Sequence, residues 1–205
     1  SFGPLASRLA GWGHVFALDL PGFGRSPRPT EPVSIAELAR VVVDVITANG
    51  LALPVVVGHS MGAQIVTELA ASHPGLVRQA VLLGPVANAN ERSLWWHAAR
   101  LLQNSAHETA RVDALLAGDY ARCGPRWYAA MLPHLLGYRI EERLTAVTDP
   151  VVIIRGAKDP IVPQDWTRLL TSVAPQARMH EITGAAHAVM YTHPAKVAAQ
   201  CHRTR

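Results

Sequence analysis

Ser60, Asp159 and His187 stand in that order along the chain, each just beyond a short strand-like run. A serine hydroxyl is a weak nucleophile until a base takes its proton, and a buried acid is what holds such a base in place. Ser60 lies in "PVVVGHSMGAQ" (54–64), where a β-branched run stops at a glycine and a helix-forming stretch resumes two residues past the serine. A serine with glycines at the second position on either side, after a strand and before a helix, sits on a sharp turn that exposes its hydroxyl. Asp159 follows "PVVIIRG" in Ala157-Lys158-Asp159-Pro160, and His187 follows "ARMHEIT" in Gly184-Ala185-Ala186-His187. The chemistry this spells is acyl transfer, with Ser60 as nucleophile, His187 as general base and Asp159 as its orienter. The Met61 N–H, at the start of the following helix, is the natural donor to the developing oxyanion. Activity should then fall as His187 takes a proton, near the ordinary histidine range of about 6 to 7.

Other candidates fit these roles less well. His180 lies inside a strand-like run, and His193 stands in "YTHP" before the last helix. His59 is in the turn itself, with its ring directed away from the hydroxyl, and reads as packing. Asp149 precedes its strand, at the wrong end of a parallel sheet, and Asp165 reads as a helix cap. Past "VLLGPVANAN" there is no carboxylate until Glu91.

The elements that must position these residues alternate along the chain. "HVFALDL" (14–20), "PVVVG", "VRQAVLLGPV" (77–86), "PVVIIRG" (150–156) and "ARMHEIT" read as strands. Between them, "SIAELARVVVDVITANG" (34–50) reads as a helix opened by Ser34 with Glu37 three residues on and closed by Gly50. "GAQIVTELAASHP", "TRLLTSVAP" and "PAKVAAQCHR" read as further helices. Strands separated by helices predict an α/β fold, a mostly parallel sheet with helices on both faces. One segment departs from this rhythm. Between the strand ending near Val86 and the one starting near Pro150 the pattern is helical only, and it holds half of the chain's aromatic residues. It reads as a helical cap, with a core divided into residues 1–87 and 149–205 around a cap at 88–148. The rings of Trp95, Trp96, Trp127 and Tyr128 are the candidates to line an apolar pocket beneath it.

Composition narrows the class. At 205 residues with 49% hydrophobic and 17% charged residues, the chain is long enough for one well-filled domain and too apolar to be disordered. The net charge of +4 comes from arginines scattered singly, with only Lys158 and Lys196 as lysines. Such scatter argues against a nucleic-acid surface and leaves a small molecule as the expected partner. Cys123 and Cys201 belong to no metal or redox spacing, which suits free thiols in a reducing, cytoplasmic setting. No apolar run reaches the ~18 residues of a membrane helix.

On these motifs the chain resembles the α/β-hydrolase superfamily, in its capped esterase-like and C–C-hydrolase-like branch. "VFALDLPGFGRSPRP" is similar to that family's strand and loop ahead of the nucleophile, "GHSMG" to its elbow, "RGAKDPIVP" to its acid loop and "GAAHAVMYTHP" to its histidine loop. The resemblance implies a hydrolase without metal or cofactor, acting on an ester or related acyl compound. A C–C bond hydrolase of a vinylogous keto acid, or a binding protein with negligible turnover, shares the same residues. The resemblance also implies an earlier strand, ending in a His-Gly loop and lying between "HVFALDL" and "PVVVG". "SFGPLASRLAGWG" is similar to the helix after that loop, so the expectation is a member that has lost its N-terminal part, with two central strands short of partners.

Overall fold

The computed structural model describes residues 2–202. Four strands, β1 (Val55–His59), β2 (Gln79–Leu83), β3 (Val151–Gly156) and β4 (Ala177–Ile182), form one sheet in the order β1-β2-β3-β4, every pair parallel. Parallel neighbours need long crossovers, and helices supply them here. α1 (Gly3–Leu9) and α2 (Ile35–Ala48) precede β1, α3 (Met61–Ser72) joins β1 to β2, and α8 (Gln164–Val173) joins β3 to β4. Between β2 and β3 run α4 (Leu94–Ser105), α5 (Ala110–Cys123), α6 (Pro125–Gly137) and α7 (Ile140–Leu144), and α9 (Val189–Thr192) and α10 (Pro194–His202) follow β4.

The two-residue period of the strands divides the core. On β2 and β3, Ala80, Leu82, Val151 and Ile153 face one layer with α2, α3, α6, α7 and α8. Their neighbours Val81, Leu83, Val152 and Ile154 face the other, with α1, α9, α10 and the start of α5. Every residue of these two middle strands is buried, as a parallel sheet covered on both faces requires. The start of α2 is as the sequence predicts. The Glu37 N–H donates to Ser34 Oγ at 3.2 Å while the Ser34 N–H donates to Glu37 Oε2 at 2.8 Å, closing a capping box.

"HVFALDL" departs from expectation. Residues 14–20 form no strand and pair with none of β1–β4, and Val15, Phe16 and Leu18 are exposed. An apolar alternating run becomes a strand only where a neighbour accepts its N–H and C=O groups, and β1 is the sheet's edge among the described residues. That edge is only half-buried, and Leu53, two residues before it, and Phe16 both expose their side chains. Unpaired, apolar edges promote self-association. Residues 1–205 expressed by themselves are therefore expected to elute from size exclusion mainly as aggregates, and Phe16→Lys with Leu18→Lys should raise the monomer fraction. Equal monomer fractions in the two preparations would show that this face does not drive association.

Among the described residues no helix is long and apolar enough to cross a membrane, and no group of three or more His, Cys, Asp or Glu is arranged to hold a metal ion.

Candidate active site

The site is built from the carboxyl ends of β1 and β3 and the loop after β4. Ser60 is the single residue between β1 and α3, with φ 56° and ψ −120°. A non-glycine residue at positive φ is strained by its own Cβ, and such strain is held only where the surroundings dictate it. Here they do. The Ser60 N–H donates to the Leu83 carbonyl at 2.9 Å, continuing the β1–β2 ladder, while its own carbonyl already accepts from Ala63 N–H at 3.0 Å to start the helix. Gly58 permits this reversal, because a Cβ there would lie 2.1 Å from the Gly62 carbonyl oxygen. Gly62 contributes only its backbone, since a Cβ on it would meet nothing within 4 Å. Met61 is the first residue of α3, where N–H groups lack intrahelical acceptors.

Asp159 lies on the loop leaving β3 and is 2% exposed. Its Oδ1 accepts from the N–H groups of Ile161 (2.9 Å) and Val162 (3.2 Å). Its Oδ2 is 2.7 Å from His187 Nδ1. A carboxylate only accepts, so the shared hydrogen belongs to Nδ1 and the lone pair to Nε2. Buried Arg155 braces the loop from beneath, donating to the carbonyls of Val162 (2.9 Å) and Asp159 (3.3 Å) and pairing with Glu181.

His187 is fixed on several sides. Gly156 lets its loop settle on the end of β3, since a Cβ there would stand 2.1 Å from the Ala186 carbonyl oxygen. The Lys158 N–H donates to the Ala185 carbonyl at 2.8 Å, joining the acid loop to the histidine loop. His59 does more than pack. Its Nε2 is 3.0 Å from the His187 carbonyl, and the two rings lie 4.5 Å apart between centroids. Burial and the His187 charge hold His59 well below the usual histidine range, so it is neutral and donates that bond. The local motif "GHSMG" places His59 beside Ser60 but carries no sign of the His187 carbonyl, 128 residues away.

Burial pulls His187 downward, but the charge and hydrogen bond of Asp159, with the charge of Glu108, outweigh it, and the net shift is upward from 6.5. Asp159 and His187 are thus brought together directly. Ser60 comes to the same corner through its neighbour His59. Among the described residues no hydrogen bond joins its hydroxyl to His187, and in resting enzymes this contact is often long until substrate binds.

The aromatic candidates separate. Trp96 lines a cleft with Ala87, His97, Arg100 and Ile161, next to the loops after β2 and β3. Tyr128 meets the same cleft through His97, whose Nε2 is 2.8 Å from the phenol oxygen. Trp95, expected in the pocket, stands on the solvent side of α4 at 86% exposure. Trp127, also expected there, is buried in the core, against Gly22 and within 5.6 Å of the Arg28 guanidinium. Asp149 accepts from the Gly75 N–H at the far end of the sheet. Asp165 caps nothing and pairs with Arg168 at 3.3 Å.

A sequence profile of the alpha/beta hydrolase family matches residues 1–200. The chain belongs to that family. Among curated relatives, this hydrolase is 32% identical over 211 residues to a putative carbamate hydrolase RutD of Azorhizobium caulinodans, covering 90% of its own chain and 78% of the relative. It is 28% identical over 207 residues to the 2-hydroxymuconate semialdehyde hydrolase of Pseudomonas putida, covering 90% and 74% respectively. Its fold matches a solved hydrolase from Oleispira antarctica with a TM-score of 0.85 at 14% identity, covering 99% of this chain and 86% of that one.

Proposed function

We propose that this hydrolase cleaves a small carboxylic ester or related acyl compound through a Ser60–His187–Asp159 relay and a covalent acyl-enzyme. The observation that carries the reading is Ser60 held at positive φ on its turn, next in the chain to His59, which in turn contacts a buried histidine whose Nδ1 is bound to Asp159. His187 Nε2 takes the hydroxyl proton as Ser60 Oγ attacks the carbonyl carbon. The oxyanion forms toward the N-terminus of α3, where the Met61 N–H donates to it. The imidazolium, stabilised by Asp159, then protonates the leaving group, and water repeats the sequence on the acyl-enzyme. The helices α4–α7 act as a cap, with Trp96 and the His97–Tyr128 pair facing the acyl or leaving group. The likeness to a carbamate hydrolase supports an acyl substrate.

A second reading has one observation in its favour. The Pseudomonas relative is named for a semialdehyde without an ester, whose hydrolysis must break a carbon–carbon bond. The same three side chains would serve it with different proton routing. Cys123 and Cys201 are free and buried, which supports a reducing, cytoplasmic setting.

The test is turnover of short-chain p-nitrophenyl esters across pH, with a vinylogous keto acid run in parallel and a fluorophosphonate label mapped by mass spectrometry. Ester hydrolysis is expected, with the label on Ser60. Because the folded His187 pKa is raised, the imidazole stays protonated to higher pH, so the acid limb of kcat/KM should lie at higher pH than that of an ordinary histidine. A flat profile from about pH 5 to 9 would point to a different acid and base. Keto-acid turnover without ester turnover would select the second reading.

A further inference from the structure

We propose that Asn104, at the C-terminal end of α4, and Glu108, in the link that follows it, are positioning residues that clamp the backbone at His187 and Ala188 and so tie the base to the helices above it. The proposal rests on His187 being the base of the reading just given. Asn104 is a poor helix former in a helix whose neighbouring residues are exposed, yet it is 4% exposed. A buried amide is retained where it has a partner. Its Oδ1 accepts the His187 N–H at 3.3 Å. In the link to α5, Glu108 Oε1 accepts the next N–H, that of Ala188, at 2.8 Å. These two N–H groups belong to a loop with no ladder to satisfy them.

The clamp is itself rigid. The N–H groups of His107 and Glu108 both donate to the Asn104 carbonyl, at 2.8 and 3.1 Å. Four residues past Glu108, Val112 is buried in the same cluster as Leu83, Ala188 and Val189. With its N–H on Asn104, its carbonyl on His59 and its Nδ1 on Asp159, His187 keeps one polar atom without a hydrogen bond among the described residues. That atom is Nε2, the one the chemistry requires. A shift of the α4–α5 link would move Nε2 with it, and misplacement by about 1 Å in such a relay can cost about 10²-fold.

The charged and titratable groups around His187 come from four places: Asp159 on the β3 loop, His59 at the end of β1, His97 on α4 and Glu108 itself. Glu108 is the one that both clamps and carries charge, so the two effects separate by substitution. The experiment measures kcat and KM on a p-nitrophenyl ester and follows the His187 imidazole by NMR titration, its signal assigned by loss in His187→Gln. Asn104→Ala and Glu108→Ala should each lower kcat about 10- to 100-fold with KM changed less than about twofold. Glu108→Gln keeps the acceptor and should restore most of kcat while lowering the His187 pKa, because the Glu108 charge that helps raise it is gone. Asn104→Asp also keeps the acceptor and should raise that pKa. Unchanged kcat and unchanged His187 titration in the alanine variants overturn the clamp. So does a loss of kcat in Glu108→Gln as large as in Glu108→Ala. If an alanine variant fails to fold, the Glu108→Gln and Asn104→Asp titrations decide alone. If the parent hydrolyses no ester, the catalytic reading fails, while these opposite pKa shifts still report on the clamp.

Discussion

Ser60→Ala is expected to lower kcat on a short-chain ester by about 10⁴- to 10⁶-fold, with the fold intact. The loss is large because the hydroxyl is the bond-forming atom, and the remaining groups act as a unit that has nothing to activate without it. The stability effect should be small. Ser60 makes no side-chain capping bond at the start of α3, so a cap worth about 1 kcal/mol is not being removed. Alanine also keeps a Cβ at φ 56°, so the strain of the turn is neither relieved nor increased. The measurement is kcat/KM together with the thermal midpoint, on protein purified clear of host esterases. Turnover near the parental value with an unchanged midpoint would remove Ser60 from the mechanism.

Asp159→Asn is expected to cost about 10³- to 10⁴-fold in kcat, for a reason visible in its hydrogen bonds. Oδ1 accepts two backbone N–H groups, from Ile161 and Val162. An asparagine must keep its oxygen toward those donors, because an NH₂ group facing them would leave three donors without an acceptor. Its NH₂ is then turned toward His187 Nδ1. That nitrogen must become the acceptor, which moves the ring hydrogen to Nε2, where it blocks removal of the serine proton. The same change removes the charge that raises the His187 pKa. The acid limb of any residual activity should therefore move down in pH, the reverse of the Asn104→Asp effect. A mild loss of kcat with an unmoved acid limb would mean that another carboxylate serves His187, and Glu108 would be the first to examine.

Much of the architecture was legible because it is encoded over a few residues. The β-branched runs of β1 and β3, the Ser34–Glu37 box and the glycine two residues before Ser60 each act through neighbours along the chain. The order of Ser60, Asp159 and His187 was legible for a related reason. In a parallel sheet every strand end of one polarity lies on the same side, so residues just past such ends converge without knowledge of the packing. The bounds of β2, β3 and β4 moved inward by one to three residues and β1 shifted one residue toward Ser60, as ends are set by where ladder partners stop.

What local pattern could not supply is the identity of a partner. "HVFALDL" has a strand's alternation, but a strand exists only with a neighbour, and residues 14–20 find none in this sheet. Trp95 and Trp96 are adjacent in sequence, yet one is 86% exposed and the other lines the cleft, because successive helical residues lie about 100° apart. Only the placement of α4 decides which of them faces inward. Asn104 and His187 are 83 residues apart, Glu108 and Ala188 are 80 apart, and His59 reaches His187 across 128. The sequence by itself determined the kinds of element and the chemistry at their ends, since those follow from side-chain volume, backbone preference and strand polarity. The tertiary structure alone decided what surrounds the base, because contacts so distant along the chain arise from packing that no short run of residues specifies.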